Sequence, residues 1–313
     1  MNAIEVRGLR KVYAQGRGGQ DVVAVDGIDL SIPRGECFGL LGPNGAGKTS
    51  TVEMLEGLRE PSSGSVEILG LSWKTHADDI RARIGIALQE TLLSDRLTVF
   101  ETIELFSSFY PRARPVEAVM ASVQLQEKRD AWVGKLSGGQ KQRVALACAL
   151  VGDPDIVFLD EPSTGLDPQS RRQVWEFVQA YKAQGGTVLL TTHYMEEAER
   201  LCDRVAIVDH GKIVRIGSPK ELIAALGAEH VIEFELLHGG VPDRAALEKL
   251  PAVTAVRLEA RTWALTATEP HLAVPALIQY LQSNQLALER LGTRHATLED
   301  VFVSLTGRHL RDG

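Results

Sequence analysis

The run Gly42-Pro43-Asn44-Gly45-Ala46-Gly47-Lys48-Thr49 constrains this chain more than any other segment. An apolar stretch, ECFGLL at 36–41, precedes it, and a helical pattern over 50–58 follows. Strand, glycine-rich turn and helix in that order gather backbone N–H groups at one helix N-terminus, a cradle for phosphate. Glycine is required because a Cβ would keep those N–H groups from turning inward. Lys48 would then reach the β- and γ-phosphates of a nucleotide, the Thr49 hydroxyl would bind Mg²⁺, and Ser50 would join the nucleotide contacts. A plain glycine-rich turn accounts for the glycines but leaves the Lys-Thr pair and its helix unexplained.

At 313 residues the chain suits one large domain plus a small one. Its 44% hydrophobic residues can bury cores, and a net charge of −7 argues against nucleic acid, whose phosphates need a basic footprint. No apolar run approaches the roughly 18 residues that cross a bilayer, and MNAIEVRGLRKVY lacks the layout of a secretory signal. The expected location is cytosolic, with any membrane role coming through a partner. Cys37, Cys148 and Cys202 lie far apart, in or beside apolar runs, with no CxxC or Cys/His cluster. They read as buried, reduced thiols rather than a metal site or redox pair.

Up to about Leu226, short apolar runs alternate with helical patterns. Residues 36–41, 156–159, 187–191 and 205–208 read as strands covered on both faces. Residues 4–9, 22–32 and 65–69 alternate apolar with polar and predict an antiparallel subsheet. QGRGGQ at 15–20 and EPSSG at 60–64 read as loops. From Leu97 the pattern is helical only, a helical insert reaching to about residue 150. After Gly227 the texture changes to strand 231–237, helix 244–250, strands 253–260 and 262–268, helix 273–284 and strand 286–291. That β-α-β-β-α-β order is ferredoxin-like. The expected architecture is an α/β P-loop NTPase sheet domain, residues 1–226, with an antiparallel subsheet and helical insert. A small α+β ferredoxin-like domain, residues 227–313, follows it.

The apolar strand at 156–159 delivers Asp160 and Glu161 at its tip. Beside a phosphate cradle, Asp160 would hold Mg²⁺ and Glu161 would polarise the attacking water as general base. Alone, an Asp-Glu pair is commonly a solvated turn; the loop upstream favours the catalytic role. Leu136-Ser137-Gly138-Gly139-Gln140 opens a further helical stretch with a second capped, anion-receptive N-terminus. One nucleotide already has its nest at 42–49, so a second suggests two surfaces that each supply half of a composite site. A capped helix start is the bland alternative.

Together these three motifs resemble the ATP-binding cassette (ABC) family, specifically the nucleotide-binding subunits of transporters, over essentially all of residues 1–226. The resemblance implies an ATPase that takes ATP with Mg²⁺. It implies a homodimer in which Ser137, Gly138, Gly139 and Gln140 close over the γ-phosphate held by the other subunit, sandwiching two ATP molecules head to tail. Tyr13 resembles the aromatic that stacks on adenine. Gln89 resembles the glutamine that senses Mg²⁺ and water and links to the membrane subunits. His193, just past TVLLTT, resembles the switch histidine at the γ-phosphate. Asp167, in STGLD, resembles the loop aspartate that communicates across the dimer, with Gly165 where the family more often has Ala. No motif is degenerate, so both composite sites of a homodimer are expected to be competent.

The C-terminal segment, closing on TLEDVF at 297–302, resembles the appendage on ATPase subunits of drug, antibiotic and lipid exporters. A packed amphipathic helix is an adequate alternative for that run. The implied function is the ATPase of an export-type transporter, peripheral on the inner face of the cell membrane through an integral membrane permease subunit. Two rivals stay open. One is a soluble cassette ATPase of translation or DNA metabolism, which the single cassette, compact insert and acidic charge disfavour. The other is a regulatory subunit that binds ATP without turnover, which Glu161 and His193 disfavour.

Overall fold

The computed structural model describes residues 1–14, 21–88, 91–227, 229–237 and 240–307. The loop at 15–20 and Gln89, both singled out above, lie outside the described residues. The chain divides into two compact units at Ile216/Gly217.

In the first unit Asn2–Tyr13 lies between Val22–Pro33 and Ser63–Ile68, antiparallel to both, and Leu71–Ser72 completes that sheet. Ile4 pairs with Ile32 and Ile68, and Val6 with Leu30 and Val66. One apolar face therefore turns to the core, as the alternating pattern predicts. A second sheet has the order Lys212–Gly217, Arg204–Asp209, Cys37–Leu41, Thr187–Thr192, Ile156–Asp160, Ile84–Ala87. Its inner pairings are parallel, and Cys37–Leu41 and Thr187–Thr192 are buried along their whole length. Such strands read as continuous apolar runs because neither face meets water. Phe38 and Phe158, both fully buried, join Leu9, Ile28 and Leu55 in one core. Truncating a core Phe of this kind costs about 3–5 kcal/mol.

Parallel register assembles the site. Asp160 lies opposite Thr191, and Leu41 opposite Thr192. The phosphate loop, the two acids and His193 therefore leave the sheet together at the carboxyl ends of its strands, where open α/β sheets bind ligands. The helical insert begins with Val99–Ser107, where Glu101 N–H donates to Thr98 Oγ1 and Thr98 N–H to Glu101 Oε2. A cap of this kind contributes about 1 kcal/mol. Val116–Ser122, two short 3₁₀ turns and then Gly138–Leu150, buried from Val144 onward, complete the insert.

The second unit has the strand order Val253–Glu259, Thr262–Ala267, His230–Leu236, Leu288–His295, every neighbouring pair antiparallel. Helices Arg244–Leu247 and Pro270–Ser283 fall in the expected β-α-β-β-α-β order. Phe234 and Trp263 stack, centroids 6.3 Å apart, in a core with Ile232, Leu265, Leu277 and Leu281. Val231 and Ala264, one residue out of phase, turn to the other face and meet Ala296, Ile223 and Leu226. Helix Pro219–Ala224 therefore packs with this unit, which places the division at 216/217 rather than at 226/227. A helix this short carries too little periodicity to announce its partner in the sequence.

Candidate functional site

The loop 42–49 joins Cys37–Leu41 to helix Lys48–Leu55. A Cβ at Gly42 would stand 2.3 Å from the Val208 carbonyl oxygen, and one at Gly47, where φ is +100°, would stand 2.2 Å from that of Ala24. Both positions require glycine because neighbouring strands close on the backbone. Pro43 and Ala46 are buried, while Asn44, Gly45 and Thr49 are exposed. Lys48 is buried, and its Nζ donates to the Gly42 and Pro43 carbonyls at 2.7 and 3.1 Å. Burial pulls its pKa below the ordinary lysine value, outweighing the opposite effect of Glu161 and Asp160. The Tyr13 Oη lies 3.0 Å from Ser50 Oγ, with Lys11 and Arg59 over the tyrosine ring at 5.4 and 5.6 Å.

Thr191 ties the two acids together. Its Oγ1 donates to Asp160 Oδ1 at 2.5 Å, and the Glu161 N–H donates to the Thr191 carbonyl and hydroxyl oxygens, each at 3.1 Å. The turn holds Glu161 at φ +47°, a left-handed conformation that a non-glycine residue keeps only where its surroundings enforce it. His193 Nδ1 lies 3.1 Å from Glu161 Oε2, which also accepts from Thr164 Oγ1 at 3.0 Å.

The second helix N-terminus is built differently. Gln140 N–H donates to Ser137 Oγ at 3.3 Å and Ser137 N–H to Gln140 Oε1 at 2.9 Å. A Cβ on exposed Gly138 would meet nothing within 4 Å, whereas one on buried Gly139 would stand 2.3 Å from Ser170 Oγ. Ser170 Oγ donates to Asp167 Oδ2 at 2.6 Å, and the Gln169 and Ser170 amides donate to Asp167 Oδ1, both at 3.0 Å. Asp167 therefore caps helix Pro168–Ala183. These bonds, the Ser170 hydroxyl foremost, hold its carboxyl below the usual range. Gly165 has φ +72°, where alanine would be strained.

A family model described as ABC transporter matches residues 25–164. Nod factor export ATP-binding protein I of Ralstonia nicotianae is 41% identical over 99% of this chain and 95% of its own length. A protein of the same name in Burkholderia pseudomallei is 42% identical, over 93% of this chain and 95% of its own length. Two solved structures superpose with a TM-score of 0.63 each. The ATP binding subunit of an ABC transporter is 28% identical and aligns over 72% of this chain and 93% of that one. A dimeric bacterial ABC transporter cassette is 27% identical, with 69% and 98% covered. This chain belongs to the ABC transporter family. It is an ATP-binding subunit and an ATPase.

In this cassette Lys48, Asp160, Glu161 and His193 converge on one edge of the sheet, while Ser137 and Asp167 open adjacent helices. Among the described residues no group of three or more His, Cys, Asp or Glu could hold a metal unaided. One carboxylate and one hydroxyl, Asp160 and Thr49, are a hard-oxygen set suited to Mg²⁺, which completes its shell with water and nucleotide phosphate. No helix among the described residues is long and apolar enough to cross a membrane. All three cysteines are buried. Cys37 and Cys202, distant in sequence, are neighbours; the Cys37 thiol and then burial hold the Cys202 thiol well above its ordinary value. Burial pushes Cys148 up to about 12. Protonated thiols of this kind are poor nucleophiles. Thr191, Thr164, Ser170, Arg171 and Tyr194 carry site contacts that were not singled out from the sequence. Hydroxyl residues at the tips of buried strands were the available signal for Thr191.

Proposed function

We propose that two copies of this chain power export through a separate integral membrane permease subunit. They close head to tail over two ATP molecules and reopen when ATP is hydrolysed. The pair of anion-receptive helix N-termini carries this reading. The loop at 42–49 has Lys48 and both acids beside it, whereas Ser137–Gly139 presents an open glycine edge and a capped helix. A γ-phosphate on a second copy gives that second nest a use. The dimeric cassette among the structural relatives supports the pairing, and the relatives named for Nod factor export support the direction of transport.

In the closed site Lys48 exchanges the Gly42 and Pro43 carbonyls for the β- and γ-phosphates. The backbone of 42–49 and Ser50 hold the remaining oxygens, and Tyr13 stacks on adenine. Thr49, Asp160 and Gln89 would hold Mg²⁺, which when bound would supply positive charge against the phosphates. Glu161, aimed by Thr164 and His193, orients the attacking water and accepts its proton, and His193 meets the γ-phosphate. Ser137, Gly138, Gly139 and Gln140 of the other copy close the site, with its Asp167 alongside. The permease keeps the subunit on the inner face of the membrane.

A mixing experiment tests the composite site. Ser137→Arg leaves ATP binding by a single chain intact and stops turnover, because the damaged nest serves the partner's nucleotide. Mixed with Lys48→Ala chains, it forms heterodimers in which both lesions fall in one site and the other site is whole, so ATPase activity returns. A mixture that dimerises and stays inactive overturns the reading.

A further inference from the structure

We propose that Tyr194 and Arg171 are positioning residues, a stack that sets the His193 imidazole against Glu161 and ties it to the turn capped by Asp167. The His193 and Tyr194 rings lie 4.2 Å apart at 39°. The Arg171 guanidinium sits 4.6 Å from the Tyr194 ring centroid. All three residues are half-buried, and Arg171 Nε has no hydrogen-bond partner among the described residues. Contact with the tyrosine ring is therefore a main interaction holding that guanidinium.

Tyr194 occupies the N-cap of helix Met195–Leu201, where its side chain makes no capping bond. Ser, Thr, Asp or Asn would serve the helix better, so an aromatic there answers to a different demand. Its backbone is held in place, since Tyr194 N–H donates to Thr192 Oγ1 at 2.9 Å. Arg171 N–H donates to the Asp167 carbonyl at 3.0 Å, which puts the guanidinium one helical turn beyond the Asp167 cap. A displacement of that cap moves Arg171 as part of the same turn, and the two ring contacts carry the displacement to His193. Glu161 Oε2, 3.1 Å from His193 Nδ1, receives it last. Lys48 and the phosphate loop stand outside this path, so the stack governs turnover and leaves ATP affinity alone.

This inference rests on His193 and Glu161 acting in hydrolysis, and the test separates the two. Full-length Tyr194→Phe, Tyr194→Ala, Arg171→Met and His193→Ala chains are compared for kcat, ATP dissociation constant, melting temperature and the His193 ring resonance in ¹H–¹³C NMR. Tyr194→Phe keeps the ring and is expected to turn over like the wild type. Tyr194→Ala should lower kcat roughly 10- to 100-fold, the range for a misplaced catalytic group, and shift the His193 resonance, with ATP affinity unchanged. Arg171→Met should lower kcat about 2- to 5-fold, and the double variant should fall no further than Tyr194→Ala alone. The stack is overturned if Tyr194→Ala leaves the resonance and kcat in place, if Tyr194→Phe loses as much as Tyr194→Ala, or if the two effects multiply in full. If Tyr194→Ala melts early, Arg171→Met and its combination with Tyr194→Phe decide on the same readouts. Wild-type turnover in His193→Ala would instead refute the role of His193 in hydrolysis, and the NMR shift would still report the stack.

Discussion

Glu56 closes the phosphate-loop helix at 4% exposure, and neither carboxylate oxygen has a hydrogen-bond partner among the described residues. Burial, then the charges of Asp160 and Glu53, push its pKa from 4.5 up to about 8. Below pH 4.5 the carboxyl is protonated in folded and unfolded chains alike. Above that value the unfolded chain releases the proton while the folded chain retains it, so stability declines as pH rises and the decline is complete above about pH 8. Glu56→Gln keeps the shape and removes the ionisation. Its melting temperature should match the wild type near pH 5, exceed it increasingly up to about pH 8 and level off above that, by the equivalent of a few kcal/mol. A difference that stays constant across that range would show that Glu56 does not hold its proton in the folded chain.

Helix Leu298–Thr306 shows how one acid anchors an element. Thr297 caps it, and Asp300, almost fully buried, accepts from Thr297 N–H at 2.8 Å, Arg257 at 2.6 Å and Arg294 at 2.7 Å. Burial alone would raise the Asp300 pKa, but the bonds from Arg294, Thr297 and Arg257 outweigh it and hold the carboxyl at about 2. Its contribution is complete above pH 3.8 and is lost as pH falls toward about 2. Asp300→Asn should cost about 3 kcal/mol, the low end of the range for breaking a buried pair because Arg294 remains partly in water. Hydrogen exchange would then speed up in Leu298–Thr306 and stay slow in Ile156–Asp160; unchanged exchange in the helix would refute the anchor. TLEDVF was legible as a helix start because cap and apolar face are local in sequence, but its two arginine partners were not. The same distinction runs through the chain. The phosphate loop, Asp160-Glu161 and LSGGQ each carry their chemistry and their local structure in a few consecutive residues, and the apolar runs showed which strands are covered on both faces. The Cys37–Cys202 contact, the Arg171–Tyr194–His193 stack and the place of Pro219–Ala224 depend on strand order and packing, which no local pattern encodes.

At the scale of the whole molecule, the transporter reading needs a surface through which closure reaches the permease. The helical insert offers one. Val99, Thr102 and Ile103 form the buried side of Val99–Ser107. Phe100 is half-buried under the Arg129 guanidinium at 4.0 Å, and Phe106 meets Phe109 edge to face at 5.9 Å. Leu93 is half-buried too, so inward packing uses several of the apolar side chains here. Leu92, Leu105 and Phe109 remain outside, 96%, 47% and 67% exposed. Burying one such side chain against a partner contributes about 1.5–3 kcal/mol, and a patch of exposed apolar groups marks a protein contact. An aspartate there would have to be desolvated in the complex, while in the isolated chain it stays in water. Leu92→Asp should therefore fold with a wild-type melting temperature and keep the ATPase activity of the isolated chain, yet lose co-purification with the permease and abolish export. Loss of folding or of ATPase activity would show that Leu92 serves the cassette itself rather than a partner. Full transport by the variant would remove this face from the permease interface and direct the search for the contact to another surface of the first unit.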